Sequence, residues 1–269
     1  MTPGDDSRPD PVLVVAADYP RAADAFTLAE ELSPLPVWLK VGLELFTAEG
    51  PDLVRRLRAM NIPVFLDLKF HDIPNTVKGA VRSACGFGVS MLTIHLAGGE
   101  AMCRAAVEGR ADALADARTG AQEQERRDAA FDVPARGMRG PLLMGVTVLT
   151  SEGSGLPLRE RVVERALLAK ACGLDGVVCS GLEADAVKEA CGHGFLCLCP
   201  GIRFAEGQGN DDQARVCTPA RAVMAGADFI VMGRPIIRDA FPARAARAAL
   251  EDMHNGLAVS VRAAAGFFQ

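Results

Sequence analysis

The run Asp67-Leu68-Lys69-Phe70-His71-Asp72-Ile73 sets two carboxylates and an ammonium close together, directly after an apolar stretch. That stretch, Pro63-Val64-Phe65-Leu66, reads as a buried strand, and strand side chains alternate with period two. Asp67 and Lys69 are therefore expected on one face, with Asp72 in the loop that follows. Opposite charges nearby favour the protonated lysine, and an ammonium fixed between carboxylates can donate a proton. The D-x-K-x-x-D spacing alone fits a second reading equally well: an ion-pair network that only fixes a loop.

The elements that must position these residues form a regular alternation. Short β-rich runs occur at 12–17, 37–41, 63–68, 90–95, 142–149, 175–179, 196–199 and 228–232. Helical periodicity fills 21–32, 51–60, 76–87, 99–117, 158–172, 182–191 and 219–225, and a last helix begins near 239. The strands are almost continuously apolar, as parallel strands covered on both faces must be. Eight such units predict a single (β/α)8 barrel domain over 1–269, with 1–11 as a polar tail. A doubly wound open sheet is the alternative, but no G-x-G-x-x-G follows the first strand. Residues 118–140 are polar and charged, and predict a surface insertion, with or without a short extra helix.

On this barrel, polar residues collect where the strands end. Asp18 ends the first, Lys40 lies on the second, Asp67 and Lys69 end the third, and His95 ends the fourth. Thr147 and Thr150 end the fifth, Ser180 follows the sixth, Arg203 the seventh, and Gly233-Arg234 the eighth. Barrel active sites are assembled at these C-terminal ends. Pro200-Gly201-Ile202-Arg203 and Met232-Gly233-Arg234-Pro235 leave the last two strands, where barrels commonly bind phosphate. Glycines admit backbone amides to the phosphate, and a guanidinium can hold its oxygens bidentately. The loop from Phe204 to Gln213 is expected to close over it.

Bulk properties exclude other classes. A net charge of −5 argues against general attraction to nucleic acid or anionic membrane, and the 49% hydrophobic content supports a sizeable core. The N-terminal stretch lacks the basic start and apolar core of a signal peptide, no run approaches a membrane span, and the expected compartment is the cytoplasm. Eight cysteines include no C-x-x-C pair, and the Cys191, His193, Cys197, Cys199 cluster matches no common zinc spacing, so no metal is expected.

The chain resembles the bacterial-type orotidine 5′-phosphate decarboxylase family. The matching stretches are 39–42 (LKVG), 65–76 (FLDLKFHDIPNT), 146–151 (VTVLTS), 173–180 (GLDGVVCS), 200–203 (PGIR) and 232–235 (MGRP), in the family's order. The resemblance implies metal- and cofactor-independent decarboxylation of orotidine 5′-phosphate to UMP in pyrimidine biosynthesis. It implies that Lys69 protonates C6 of the pyrimidine, that Asp67 faces the substrate carboxylate, and that Asp18 and Lys40 hold the ribose hydroxyls within the charge network. It also implies a homodimer with shared active sites, in which Asp72, Ile73 and Thr76 reach into the partner. Thr150 would bond the pyrimidine, Gln213 would bridge base and phosphate, and Arg203, Gly233 and Arg234 would serve the phosphate. A Mg2+-dependent phosphosugar decarboxylase or epimerase is disfavoured by the cation at Lys40. A Schiff-base aldolase needs a neutral lysine, and a silent phosphate-binding barrel predicts loss of charges that are all present.

Overall fold

Each strand carries apolar residues of both parities, and the computed structural model, which describes residues 10–120, 132–133, 138–148, 156–205 and 217–266, shows where each parity goes. The strands in chain order are β1 (Val12–Ala16), β2 (Val37–Gly42), β3 (Val64–Phe70), β4 (Met91–His95), β5 (Asp132–Val133), β6 (Met138–Arg139), β7 (Leu142–Val146), β8 (Gly176–Val178), β9 (Leu196–Cys199) and β10 (Phe229–Met232). All but β5 and β6 pair in parallel and close into a barrel in the order β1-β10-β9-β8-β7-β4-β3-β2.

One parity faces the barrel interior. Val14, Trp38, Phe65, Met91, Met144, Leu198 and Phe229 form an inner cluster, with the Trp38 and Phe229 rings 5.2 Å apart. The other parity, including Leu13, Val15, Leu39, Val41 and Leu66, packs outward against the helices. Two-sided burial is why no strand shows simple apolar–polar alternation. The inward parity continues past the apolar layer: Trp38 is followed by Lys40, Phe65 by Asp67, Met91 by Thr93. Polar side chains on this parity therefore stand above a closed apolar floor.

The connecting helices are α1 (Ala22–Leu32), α2 (Leu43–Glu49), α3 (Pro51–Ala59), α4 (Pro74–Cys85), α5 (Gly99–Gly120), α6 (Leu156–Ala171), α7 (Ala184–Cys191), α8 (Pro219–Met224), α9 (Arg234–Ile237) and α10 (Pro242–Gly266). Sequence periodicity locates the long ones and misses α2 and α9, which are too short to show a full period. Gly50, at φ +70°, turns the chain between α2 and α3, and Pro51 opens α3 at a position where its missing N–H is not needed. The last helix starts at Pro242 rather than near 239, because Asp239 Oδ1 accepts the Phe241 N–H at 2.8 Å in a turn that precedes it.

The expected insertion at 118–140 holds two features that composition did not show. Helix α5 runs on to Gly120, and β5 pairs antiparallel with β6 in a small separate hairpin. Residues 121–131 and 134–137 lie outside the described residues. No helix among the described residues is long and apolar enough to cross a membrane. All eight cysteines are buried and unpaired, serving as small apolar fillers, and burial pushes the Cys85 thiol up to about 11. Among the described residues, no three or more His, Cys, Asp or Glu side chains gather in a way that could hold a metal ion.

Candidate active site

Four charged side chains of alternating sign line the C-terminal mouth of the barrel. Lys40 Nζ donates to Asp18 Oδ1 at 2.8 Å and lies 3.9 Å from Asp67 Oδ2. Lys69 Nζ donates to both oxygens of Asp67, each at 2.9 Å. The order Asp18–Lys40–Asp67–Lys69 thus leaves each inner charge between two of opposite sign. The inner pair is largely shielded, with side chains of Lys40 and Asp67 only 12% and 14% exposed, while Lys69 is 34% exposed. Shielding from water strengthens such contacts, and the alternation offsets the desolvation cost. Gly42 makes room: a Cβ there would meet Lys40 Nζ at 3.0 Å.

Asp67 and Lys69 do share a face, but simple pleating does not deliver them there. The register of β3 against β4 shifts between Leu66 and Phe70, and Lys69 has φ +51°, a left-handed conformation unusual for a residue with a side chain. Such a bulge re-aims a side chain beside a functional site. Thr93 bonds to both residues. Its hydroxyl accepts the Lys69 N–H at 2.9 Å and donates to Asp67 Oδ1 at 2.9 Å. Spacing along the chain does not single out Thr93, although its place two residues after Met91 on an apolar strand is a usable signal. Glu44, also unflagged, lines a cavity of about 130 Å³ together with Asp18, Lys40, Asp67 and Lys69.

Beneath the charges lies a second cavity of about 130 Å³. Lys40, Asp67 and Lys69 form one wall, and Phe65, Val178, Leu198 and Val231 belong to its apolar lining. A flat, partly apolar ring could rest on that floor with its edge against the ammonium groups. The two Gly/Arg loops share one cavity: Arg203 and Arg234 both line a space of about 970 Å³, with Thr218 and Arg244, and a Cβ on Gly233 would lie 3.5 Å from Asp18 Oδ2. Arg203 is buried, and its N–H donates to Cys217 O at 3.0 Å, which fixes the loop after β9. Gly233 precedes α9, where its carbonyl accepts the Ile236 N–H at 2.8 Å and Arg234 is the first helical residue. Three guanidinium groups line this cavity beside the carboxylates of Asp239 and Asp252, and guanidinium groups suit an anion.

Other residues at the strand ends are occupied locally. The Thr147 hydroxyl is fully buried and donates to Val178 O at 2.7 Å. Ser180 Oγ accepts the Leu182 N–H, and His95 Nδ1 accepts the Ala97 N–H while its ring stacks on His71 at 5.2 Å. Thr150 and Gln213 lie outside the described residues, as does 206–213 of the expected closing loop.

Asp72 departs from the charge cluster that spacing along the chain predicts. Sequence spacing grouped it with Asp67 around Lys69, yet within one chain its carboxylate is exposed and accepts the neighbouring Ile73 N–H at 2.7 Å. No ion pair joins Asp72 to Lys69 among the described residues. The reason is the turn after β3, which Ile73-Pro74 keeps extended before α4 begins. Ile73 is 68% exposed, unusual for a large aliphatic side chain, and Thr76 is exposed beside it.

Known proteins share this chain's sequence and fold. A relative from Nitratidesulfovibrio vulgaris (strain DP4), named orotidine 5′-phosphate decarboxylase, is 51% identical over 247 residues, covering 90% of this chain and 97% of its own. The protein of that name from Maridesulfovibrio salexigens is 47% identical over 250 residues, covering 90% and 99%. The crystal structure of orotidine 5′-phosphate decarboxylase from Lactobacillus acidophilus superimposes with a TM-score of 0.72 at 32% identity, covering 91% of this chain and 99% of the other. Residues 11–249 match the Orotidine 5′-phosphate decarboxylase / HUMPS family, and the chain belongs to that family.

Proposed function

We propose that this protein is an orotidine 5′-phosphate decarboxylase, a carboxy-lyase that makes UMP in pyrimidine biosynthesis, with Lys69 as the proton donor. The observation that carries the role of Lys69 is its ammonium, held 2.9 Å from both oxygens of Asp67 and still partly open to the cavity. The bond from C6 to the carboxylate breaks, CO2 leaves, and the electron pair stays on C6. Lys69 stabilises that pair as it forms and then donates a proton to it, becoming a neutral amine that recovers a proton from water. Asp18 and Lys40 hold the ribose, Arg203, Gly233 and Arg234 hold the phosphate, and Thr150 and Gln213 contact the base.

Magnitudes decide between the two electrostatic contributions. Repulsion between Asp67 and a substrate carboxylate near 4 Å is worth about 4 kcal/mol at an effective dielectric of 20. Enzymes lower barriers by roughly 8–23 kcal/mol. Stabilisation of the carbanion by Lys69 must therefore dominate, with phosphate binding supplying orientation.

Lys40 speaks against a metal-assisted reaction, because its ammonium lies 3.9 Å from Asp67, where it would repel a divalent cation. The exposed Ile73 and the exposed Asp72, which among the described residues has no ion pair with its own Lys69, support a homodimer in which these residues and Thr76 complete the partner's site. Eight buried free thiols suit a reducing compartment, and the proposed location is the cytoplasm.

The test follows the ultraviolet absorbance of orotidine 5′-phosphate with EDTA present. The wild type should turn over unchanged, and folded Lys69→Ala should bind UMP but show almost no turnover. Dependence on added Mg2+, or near-normal turnover by Lys69→Ala, would overturn the reading.

A further inference from the structure

Lys69 occupies a backbone conformation that its own side chain disfavours. A non-glycine residue at φ +51° is disfavoured and persists only where the surroundings over-determine it. The strain falls inside the irregular part of β3, between Leu66 and Phe70. The fold therefore spends stability to aim this one side chain.

We propose that Thr93 is the positioning residue that holds this geometry. Thr93 lies on β4, is only 1% exposed, and follows Met91 on the parity that faces the barrel interior. A hydroxyl has one proton and two lone pairs, and both capacities are used here. It accepts the Lys69 N–H at 2.9 Å and gives its proton to Asp67 Oδ1 at 2.9 Å. Asp67 in turn accepts from Lys69 Nζ at 2.9 Å, so the backbone and the ammonium of Lys69 are tied to one hydroxyl through a closed ring of contacts. Removing the hydroxyl frees both ends at once: the left-handed peptide loses its anchor, and Asp67 loses a neutral donor that fixes its plane. The side-chain hydrogen bonds of Thr93 go only to Lys69 and Asp67, so the main effect of its loss is expected on kcat rather than on ground-state binding.

This inference rests on the reading of Lys69 as proton donor. The experiment compares Thr93→Val, which keeps shape and removes the hydroxyl, with Thr93→Ser, which keeps the hydroxyl, and uses Lys69→Ala as control. In Thr93→Val, kcat should fall about ten- to hundredfold, the scale on which small misplacement of a reacting group acts. KM for orotidine 5′-phosphate and Kd for UMP should stay within about twofold, the mark of an interaction made in the transition state. Thr93→Ser should recover most of kcat.

Wild-type kcat in Thr93→Val would overturn the proposal, as would Thr93→Ser being equally impaired, which would make the methyl the important group. A parallel rise in KM and Kd would mean general distortion and overturn it too. If the valine variant does not fold, Thr93→Ala takes its place; if neither folds while Thr93→Ser does, the hydroxyl serves the fold and the proposal fails. An active Lys69→Ala would instead remove the underlying reading, so the two failures are distinguishable.

Discussion

Lys40 Nζ donates to Asp18 Oδ1 at 2.8 Å, bridging the end of β1 to β2, and its other flank faces Asp67 at 3.9 Å. A single ammonium thus separates two carboxylates that would otherwise confront each other at the barrel mouth. Lys40→Met keeps most of the stem and removes the charge. Loss of a charged hydrogen bond is worth about 1.5–3 kcal/mol, so kcat/KM should drop by roughly ten- to 150-fold. Steady-state kinetics checks this, and an unchanged kcat/KM would make Lys40 a bystander.

Arg234 opens α9 at the large cavity, where Arg203 also lies. Arg234→Ala should weaken binding of orotidine 5′-phosphate and UMP by about 1.5–3 kcal/mol. Orotidine, lacking the phosphate, should be a very poor substrate and nearly indifferent to the substitution. Equal losses on both substrates would show that Arg234 supports structure rather than phosphate.

Asp72 is exposed and, among the described residues, forms no ion pair with its own Lys69, and Ile73 beside it is exposed. If these residues complete the partner's site, inactive Lys69→Ala and inactive Asp72→Asn proteins should regain activity when mixed and allowed to exchange subunits. A two-fold hybrid gathers both lesions in one site and leaves the other intact. Random exchange of equal amounts gives about half hybrids and hence roughly a quarter of wild-type activity, by the same symmetry. Verified exchange with no recovery would confine Asp72 to its own subunit.

Far from the mouth, Lys188 and Asp228 form a buried ion pair. Lys188 Nζ donates to Asp228 Oδ2 at 2.7 Å and to the carbonyls of His193 and Phe195, while Asp228 also accepts the Cys197 N–H. Every charge is satisfied, so removing one partner strands the other. Lys188→Met should destabilise the protein by about 3–5 kcal/mol, read as a fall in denaturant midpoint. Below the transition, KM should be unchanged. A midpoint like that of the wild type would show that Asp228 finds other donors.

Much of this protein was legible in the chain itself. The near-continuous apolar strands 12–16, 37–42 and 64–66 could be buried only on both faces, which dictates a parallel sheet between helices. Closure into a barrel then brings strand ends together wherever they lie in the sequence, so Asp18, Lys40, Asp67 and Lys69 could be grouped before any coordinates. Local spacing fails where a long-range contact overrides the local rule. Nothing near Lys69 in sequence announces its left-handed backbone, because the hydroxyl that anchors it arrives from Thr93, 24 positions away on the next strand. Asp72 stands close to Lys69 in the chain and yet forms no ion pair with it among the described residues, its carboxylate accepting the Ile73 N–H in the turn instead. Sequence patterns determine which side chains are buried and at which end of the barrel they lie; only tertiary structure decides which of them touch, since contact depends on register and backbone strain shared between strands.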